Sequence, residues 1–465
     1  MKWLACIFLF CYNNSSSQNV SSKLSAAINK LERDSQFSHG IISMYVVETK
    51  TGSLIFEKNS QVGLAPASCL KIITAASALE LLGKDYHYKT HLGYTGKIDS
   101  GILKGNIYIV GSGDPTLGSW RYPSTKESIV LADFKKAIAK QGIKQIKGSV
   151  YGDDRIWGTQ RIPDGWIWQD VGNYYGAGAS GLNWRENQYD LVLRSGARFG
   201  DAVKISSTKP KFLPGIHLMN ELTAAERGSG DNAYIYLAPD AEVGFVRGTI
   251  PIGEDSFNIS GSMPDGGKLL ATTLYNDISA GKAMAESNVN YLKAKSKWES
   301  PGTFFHSHTS PPLDSIIYWF LKKSINLYGE ALVKTIGYEK NKTGNTDAGL
   351  KIMKDMWQKN GINKGSLKIF DGSGLSPANR VTTAALVAVM QYAKDKSWYN
   401  AFYNALPEIN GIKMKDGYIS GVRSYTGYVK SKAGVEYTFS FLVNNFDGSA
   451  SSVREKMWKV LDNLK

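Results

Sequence analysis

The sequence predicts a mixed α/β protein whose helix- and sheet-forming ends enclose a long β-rich stretch. Three observations lead there. A helix-patterned apolar run, "APASCLKIITAASALELLG", follows a β-hairpin pattern near the N-terminus. From about His87 to Met263, strand-like segments dominate, separated by Gly, Asn and Asp turns and without sustained 3.6-residue periodicity. Helical patterns then return, and the chain closes on a hairpin and a helix.

The elements follow in order. "MKWLACIFLFCYNNSSSQ" has a positive residue, Lys2, a short apolar core from Trp3 to Tyr12, and small residues before Gln18. This pattern predicts a signal peptide over 1–17, too short to span a bilayer. Cys11 admits a lipoprotein, but bulky Phe10 precedes it and disfavours lipobox cleavage. No later run has the length of a transmembrane helix. Removal of the signal leaves Cys69 alone, with no intrachain disulfide available. Cys69 reads as a small buried filler.

"GIISMYVVETKTGSLIFEKN" gives two strands around the turn Thr49-Lys50-Thr51-Gly52. The Ser68 helix follows, opened by Pro66 and closed by Gly83. After the β-rich stretch come "LLATTLYNDISAGKAMAES", "LDSIIYWFLKKSINLYGEALVKTIG", "DAGLKIMKDMWQKNG" and "TTAALVAVMQYAKD", all helical patterns. A hairpin in "SGVRSYTGYVKSKAGVEYTFSFLVNN" and the helix "SSVREKMWKVLDNLK" end the chain. The order read from these patterns is mixed α/β at both ends, 18–86 and 263–465, around a β-rich insert at 87–262.

Composition is that of a globular protein, 42% hydrophobic and 21% charged over 465 residues. The net charge of +14 favours anionic partners such as a cell wall or membrane surface. The lysines and arginines are spread along the chain, and no nucleic-acid-binding motif is present. The 25 Tyr and 11 Trp suit sugar or peptide contacts, and equally aromatic core packing.

The chemistry centres on Ser68 and Lys71. Three residues apart at a helix start, their side chains lie together. A serine hydroxyl needs a neighbour to take its proton, and a lysine with a lowered pKa can do so. The Ser68 N–H, at the positive end of the helix, can stabilise an oxyanion. S-x-x-K alone is common by chance. A second element, Ser324-Ile325-Asn326, lies inside a helical pattern after "SPPL". S-x-x-K, S-D-N and K-T-G occur together in β-lactamases and penicillin-binding proteins. Two literal KTG strings are misplaced: Lys50-Thr51-Gly52 is a hairpin turn, and Lys342-Thr343-Gly344 lies in a polar loop between helices. The fitting position is Lys415-Asp416-Gly417 in "NGIKMKDGYISG". There lysine offers a charge for a substrate carboxylate, and glycine permits close backbone approach.

On these motifs, with "YIVGSGDPTL", "SPPLDSIIYWFLKKSINLYGEAL" and "DGSGLSPANRVT", the chain resembles the low-molecular-mass class C penicillin-binding proteins, D-alanyl-D-alanine carboxypeptidases/endopeptidases. The resemblance implies a transpeptidase-like domain, an antiparallel sheet with helices on both sides, interrupted by two smaller β-rich domains. It implies Ser68 as acylated nucleophile, Lys71 as general base and Ser324 as proton relay. Asn326 would hold the substrate amide and Lys415 its carboxylate. The N–H groups of Ser68 and Tyr418 would form the oxyanion hole. Asp170, in "GWIWQDVGNYYGA", would bind the amine of the third-position diamino acid; a solvated loop carboxylate is the alternative. The resemblance further implies a periplasmic enzyme acting on peptidoglycan peptides, acylated by β-lactams, with no cofactor.

Asp416 departs from the family, which has a hydroxyl residue there. An ionised Asp would repel the substrate carboxylate by about 4 kcal/mol at 4 Å and an effective dielectric of about 20. Protonation, rotation away, or pairing with Arg423 or Lys413 would relieve it. Two other functions stay open: a wall-binding module that lost turnover through Asp416, and a β-lactamase or esterase on the same scaffold. His306 and His308 have metal-compatible strand spacing but no completing ligands, and read as loop histidines. "DGSG" at Asp371–Gly374 reads as a tight turn.

Overall fold

Strand β1 (Ile41–Glu48) shows how the sheet is built. Ile42, Met44 and Val46 are buried against one layer of helices, and Ser43, between them, faces the other. The computed structural model describes residues 18–279, 289–292 and 301–465. The signal segment 1–17, with Cys6 and Cys11, lies outside them, as does the end of the expected helix 269–287. The chain forms two compact units, 1–84 with 317–325 and 350–465, and 85–316 with 326–349. The second unit thus takes in 263–316 and 326–349, beyond the 87–262 span expected of the insert.

In the first unit helix α1 (18–32) precedes β1, β2 (Leu54–Lys58) and α2 (Leu70–Leu82). Then come α3 (Thr383–Lys394), β3 (Glu408–Ile409), β4 (Ile412–Ile419), β5 (Val422–Lys430), β6 (Glu436–Asn444) and α4 (Ala450–Leu461). Among the described residues these strands make a six-stranded antiparallel sheet in the order β2-β1-β6-β5-β4-β3. On one face Leu24, Ile28 and Leu31 of α1 and Val453, Met457 and Val460 of α4 pack on Met44, Phe439 and Phe441. Each side chain so buried contributes roughly 1.5–3 kcal/mol.

The opposite face, under α3, carries hydroxyls. Ser43 Oγ and Thr383 Oγ1 are 2.9 Å apart, Gln391 donates to Thr438 Oγ1 at 2.7 Å, and Tyr428 OH donates to Met390 O at 2.6 Å. Buried polar groups persist only when paired in this way. Thr382 caps α3, accepting from Ala385 N at 3.1 Å. Helix α2 is buried all round from Leu70 to Leu79, rather than along one face, because apart from Lys71 its residues there are apolar or small.

Among the described residues the second unit holds a five-stranded sheet, in the order Val289–Leu292, Val150–Asp153, Ile107–Val110, Lys89–Tyr94, Thr303–Thr309. A three-stranded sheet, Lys204–Lys209, Gln188–Arg194 and Phe257–Ser262, adjoins its core. A four-stranded one is centred on Val243–Pro251. A 14-residue helix, Glu127–Lys140, corrects the expectation that no helical period persists here. Val130, Leu131, Phe134, Ala137 and Ile138 fall on its buried face, a 3.6-residue pattern legible in "ESIVLADFKKAIAK". His306 and His308 lie on a strand, not in a loop. Both face Asp133, whose Oδ2 is 2.7 Å from His306 Nε2 and 3.7 Å from His308 Nδ1. Among the described residues no three His, Cys, Asp or Glu side chains are arranged to hold a metal.

Candidate active site

Ser68 occupies a 3-10 turn, Ala67–Cys69, that runs into α2. Ala67 has a left-handed φ of +44°, which a non-glycine residue adopts only when its surroundings hold it there. Those surroundings are identifiable. A Cβ on Gly374, itself at φ +84°, would lie 1.9 Å from Ala67 O, and one on Gly417 would lie 2.7 Å from Ser68 N. The turn is therefore clasped between two glycines, one from the loop after Asp371 and one from β4. Ser424 Oγ donates to Pro66 O at 2.6 Å, and Cys69 Sγ to Lys415 O at 3.2 Å. The glycine of the Lys-Asp-Gly element thus admits the protein's own backbone. Cys69 is fully buried, and burial pushes its thiol up to about 11, which suits packing and not nucleophilic attack.

Lys71 is fully buried at the start of α2. Its Nζ lies 2.9 Å from Ser68 Oγ and donates to Ser373 O at 2.7 Å. The Phe320 ring centroid is 6.0 Å from the same nitrogen. Ser373 is held by a turn built on Asp371, a buried carboxylate. Its oxygens accept from Gly374 N at 2.9 Å, Ser376 N at 2.7 Å and Asn379 Nδ2 at 2.8 Å. Thr74 of α2 donates to Gly372 O at 2.7 Å. The "DGSG" turn expected from sequence is present, and its carbonyl holds the lysine. Sequence reasoning missed that link; the available signal was an Asp followed at three and five residues by amides it can bind.

Lys415, Asp416 and Gly417 lie on β4, whose only strand partner on the outer side among the described residues, β3, covers its first two residues. Met414 N–H turns outward to Pro407 O at 3.0 Å. By the two-residue period of a strand, the N–H of Tyr418 faces the same open edge. The Tyr418 side chain is exposed, with Arg423 Cζ 5.7 Å from its ring centroid. Lys415 is buried, and its Nζ donates to Asp416 O at 2.7 Å and Oδ1 at 3.0 Å. Arg423 Nη2 lies 3.8 Å from Asp416 Oδ2. Burial pushes the Asp416 carboxyl up, but the Lys415 charge and hydrogen bond, with Arg423, outweigh it and hold the pKa below the usual value. Of the escapes expected for Asp416, pairing with Arg423 is present at 3.8 Å, but its nearer partner at 3.0 Å is Lys415, the cation it was expected to neutralise.

Ser324 corrects a second expectation. It interrupts the helical pattern, lying at φ +57° between the helices Leu313–Lys322 and Asn326–Asn341. Phe320, one turn earlier, brings that segment against Lys71. Asn326 belongs to the second unit, where its Nδ2 donates to Tyr175 O at 2.8 Å. Asp170 lies there too, half-buried in the short helix Trp168–Val171. Burial pushes its carboxyl up, opposed by a hydrogen bond from the Tyr175 hydroxyl. Tyr175 so joins Asn326, through its carbonyl, to Asp170, through its phenol. The first unit gathers Ser68, Lys71, Lys415, Asp416 and Gly417; the second gathers Asn326 and Asp170.

Comparison with known proteins gives the family and the fold. A profile of the D-Ala-D-Ala carboxypeptidase 3 (S13) family matches residues 24–464. The chain is 27% identical to a D-alanyl-D-alanine carboxypeptidase of Actinomadura sp., over 92% of this chain and 82% of that one. It is 24% identical to the D-alanyl-D-alanine carboxypeptidase DacB of Haemophilus influenzae, over 84% and 83%. It superposes on the crystal structure of penicillin binding protein 4 from Haemophilus influenzae with a TM-score of 0.76 at 21% identity, covering 91% of this chain and 95% of that one. The shared fold is a transpeptidase-like domain with inserted β-rich domains. The chain therefore belongs to the D-Ala-D-Ala carboxypeptidase 3 (S13) family of serine-type peptidases.

Proposed function

We propose that the protein cleaves the terminal D-Ala-D-Ala bond of peptidoglycan stem peptides through an acyl-enzyme on Ser68. The observation that carries this reading is the 2.9 Å contact between Lys71 Nζ and Ser68 Oγ. Ser68 Oγ attacks the penultimate carbonyl as its proton passes to Lys71. The N–H groups of Ser68 and Tyr418 receive the oxyanion. The proton returns through Ser324 to the leaving amine, D-alanine departs, and water hydrolyses the ester. Asn326 holds the substrate amide, Lys415 the terminal carboxylate, and Asp170 the amine of the third residue. The same site would open peptide cross-links. The discontinuous catalytic domain with a two-domain insert belongs to this reading.

A β-lactam is an activated acyl donor for the same serine, and a solved relative from Haemophilus influenzae was captured with a β-lactam bound. The cell wall places the substrate outside the cytoplasm, so we assign the periplasm, reached through the signal segment 1–17. Among the described residues no helix is long and apolar enough to cross a membrane.

One observation favours a second reading. The Lys415 ammonium is already engaged by Asp416, which would weaken carboxylate binding and leave a wall-binding protein of low turnover. Mass spectrometry of the intact protein with penicillin separates the two. Stoichiometric addition on the peptide containing Ser68 supports the enzyme; an unmodified Ser68 removes it.

A further inference from the structure

The outer face of the four-stranded sheet in the second unit is aromatic, with half-buried Tyr236 and Phe245 among exposed neighbours. Its inner face sends Ala233, Ile235, Val246 and Ile250 into the core. On the outer face Tyr236 stands opposite Phe245 in the antiparallel ladder, and Met219 beside Phe245 in the parallel one. Val243, Phe245 and Arg247 share this face by strand period. The Arg247 guanidinium lies 4.6 Å from the Phe245 ring centroid and 5.6 Å from that of Tyr236. Its Nε donates to Glu221 Oε2 at 2.7 Å. Trp168 packs on Tyr236 with centroids 6.0 Å apart and remains 52% exposed; Met219 and Val243 are each 54% exposed. An apolar face of this kind marks a binding surface.

This face is continuous with the Asp170 region. Trp168 and Asp170 share one short helix. Asn173 Oδ1, just beyond it, accepts from Ile235 N at 3.0 Å and ties that segment to the strand carrying Tyr234 and Tyr236. Burial, then Asp170 and Tyr234, raise the pKa of Tyr175, whose hydroxyl bonds Asp170, so the phenols of Tyr175 and Tyr234 are electrostatic neighbours.

We propose that this face binds the glycan strand of peptidoglycan, while the attached stem peptide reaches the Asp170 region. The proposal rests on the peptidoglycan reading above. The substrate's own connectivity supplies the occupant: it is sugar at one end and peptide at the other. A pyranose presents an apolar C–H face that stacks on the Trp168, Tyr236 and Phe245 rings, rimmed by hydroxyls and acetamido groups. The Arg247–Glu221 pair offers those groups both donors and acceptors. Being a pair, it adds no net charge, which suits a neutral glycan and not an anionic bilayer.

The test uses the full chain and glycan strands freed of their peptides by an amidase, with the lactyl carboxylates so exposed capped as methylamides to keep the strands neutral, and the strands coupled to beads. The unaltered protein should co-sediment with these strands. Phe245→Ala and Arg247→Glu should each weaken that binding by about fivefold or more, as loss of a central aromatic or arginine contact does. Thermal melting checks that both variants fold. Vesicles of phosphatidylglycerol and phosphatidylethanolamine form a parallel arm. Unchanged glycan binding in both folded variants overturns the proposal, as does loss of vesicle binding alone. Labelling of Ser68 by fluorescent penicillin in the same samples reports separately on the peptidase reading, and the glycan measurement stands whether or not the label forms.

Discussion

The ammonium of Lys415 lies 3.0 Å from Oδ1 of Asp416, its own neighbour in the strand. This ion pair occupies the cation that would otherwise meet the substrate carboxylate. Asp416→Thr removes the competing charge and should raise the rate of acylation by about tenfold or more, since each 1.36 kcal/mol is a factor of ten. Asp416→Asn should reproduce much of the gain. Stopped-flow acylation with a chromogenic β-lactam measures it. An unchanged rate in both variants would show that the pair rearranges freely when substrate binds. The depressed pKa of Asp416 has a consequence for stability. Its contribution is present above the unfolded value, near 3.8, and is lost as pH falls through the lower folded value.

Lys71 is the base in the proposed reaction and is held by Ser373 O whatever its substrate. Lys71→Ala should slow acylation of Ser68 by about a hundredfold to ten-thousandfold. Lys71→Arg should not rescue it, because a guanidinium does not deprotonate. Rates within a factor of a few of the unaltered protein would assign the base elsewhere.

Gly417→Ala places a methyl group 2.7 Å from Ser68 N. The turn must shift, and overpacking of this order costs about 1–3 kcal/mol. Acylation should fall by at least about tenfold while the circular dichroism spectrum is kept. Gly421→Ala, where no atom lies within 4 Å but φ is +70°, separates backbone strain from the clash. It should lose stability without the same loss of acylation.

Asp170→Asn should lower kcat/KM by about tenfold or more for stem peptides carrying a free amine on the third residue, the scale of a charge-assisted hydrogen bond. Peptides with that amine acetylated should be turned over equally by both proteins. Equal losses on both peptides would give Asp170 a structural role through Tyr175.

In the second unit Lys334 is buried, donating to Gln160 O and to Ala179 O at 2.7 Å. Burial lowers its pKa to about 7, with Glu330 opposing. The unfolded chain therefore binds the extra proton between about 7 and the usual 10.5. The cost of holding a charged lysine is full below about pH 7 and is relieved as pH rises toward the unfolded value. Stability in urea should accordingly rise from pH 7 to about 9.5. Lys334→Met should lose that slope and about 1–3 kcal/mol, because the buried carbonyls of Gln160 and Ala179 lose their donor. A slope shared by the variant would assign it to other groups.

Much of the site was legible without coordinates. Ser68 and Lys71 lie together because three residues at a helix start bring side chains onto one face. Lys415-Asp416-Gly417 stood out from the misplaced Lys50-Thr51-Gly52 and Lys342-Thr343-Gly344 because only it falls in a β pattern after Ser324. The helix Glu127–Lys140 was equally readable but was masked by the turn-rich segments around it. Ser324 was read inside one long helix because the apolar period continues across it, while the break depends on a left-handed φ that periodicity does not register.

Local spacing alone thus placed Ser68 beside Lys71 and determined the edge strand and the alternation of helical and sheet segments, since these depend on residues within a turn or a strand of one another. Tertiary packing alone decided that Ser373 O holds Lys71, that Gly374 and Gly417 clasp the Ser68 turn, and that Asn326 meets Asp170 through Tyr175. Each of those contacts joins residues far apart in the chain. Their proximity follows from how whole elements close on a shared core, which no local pattern encodes.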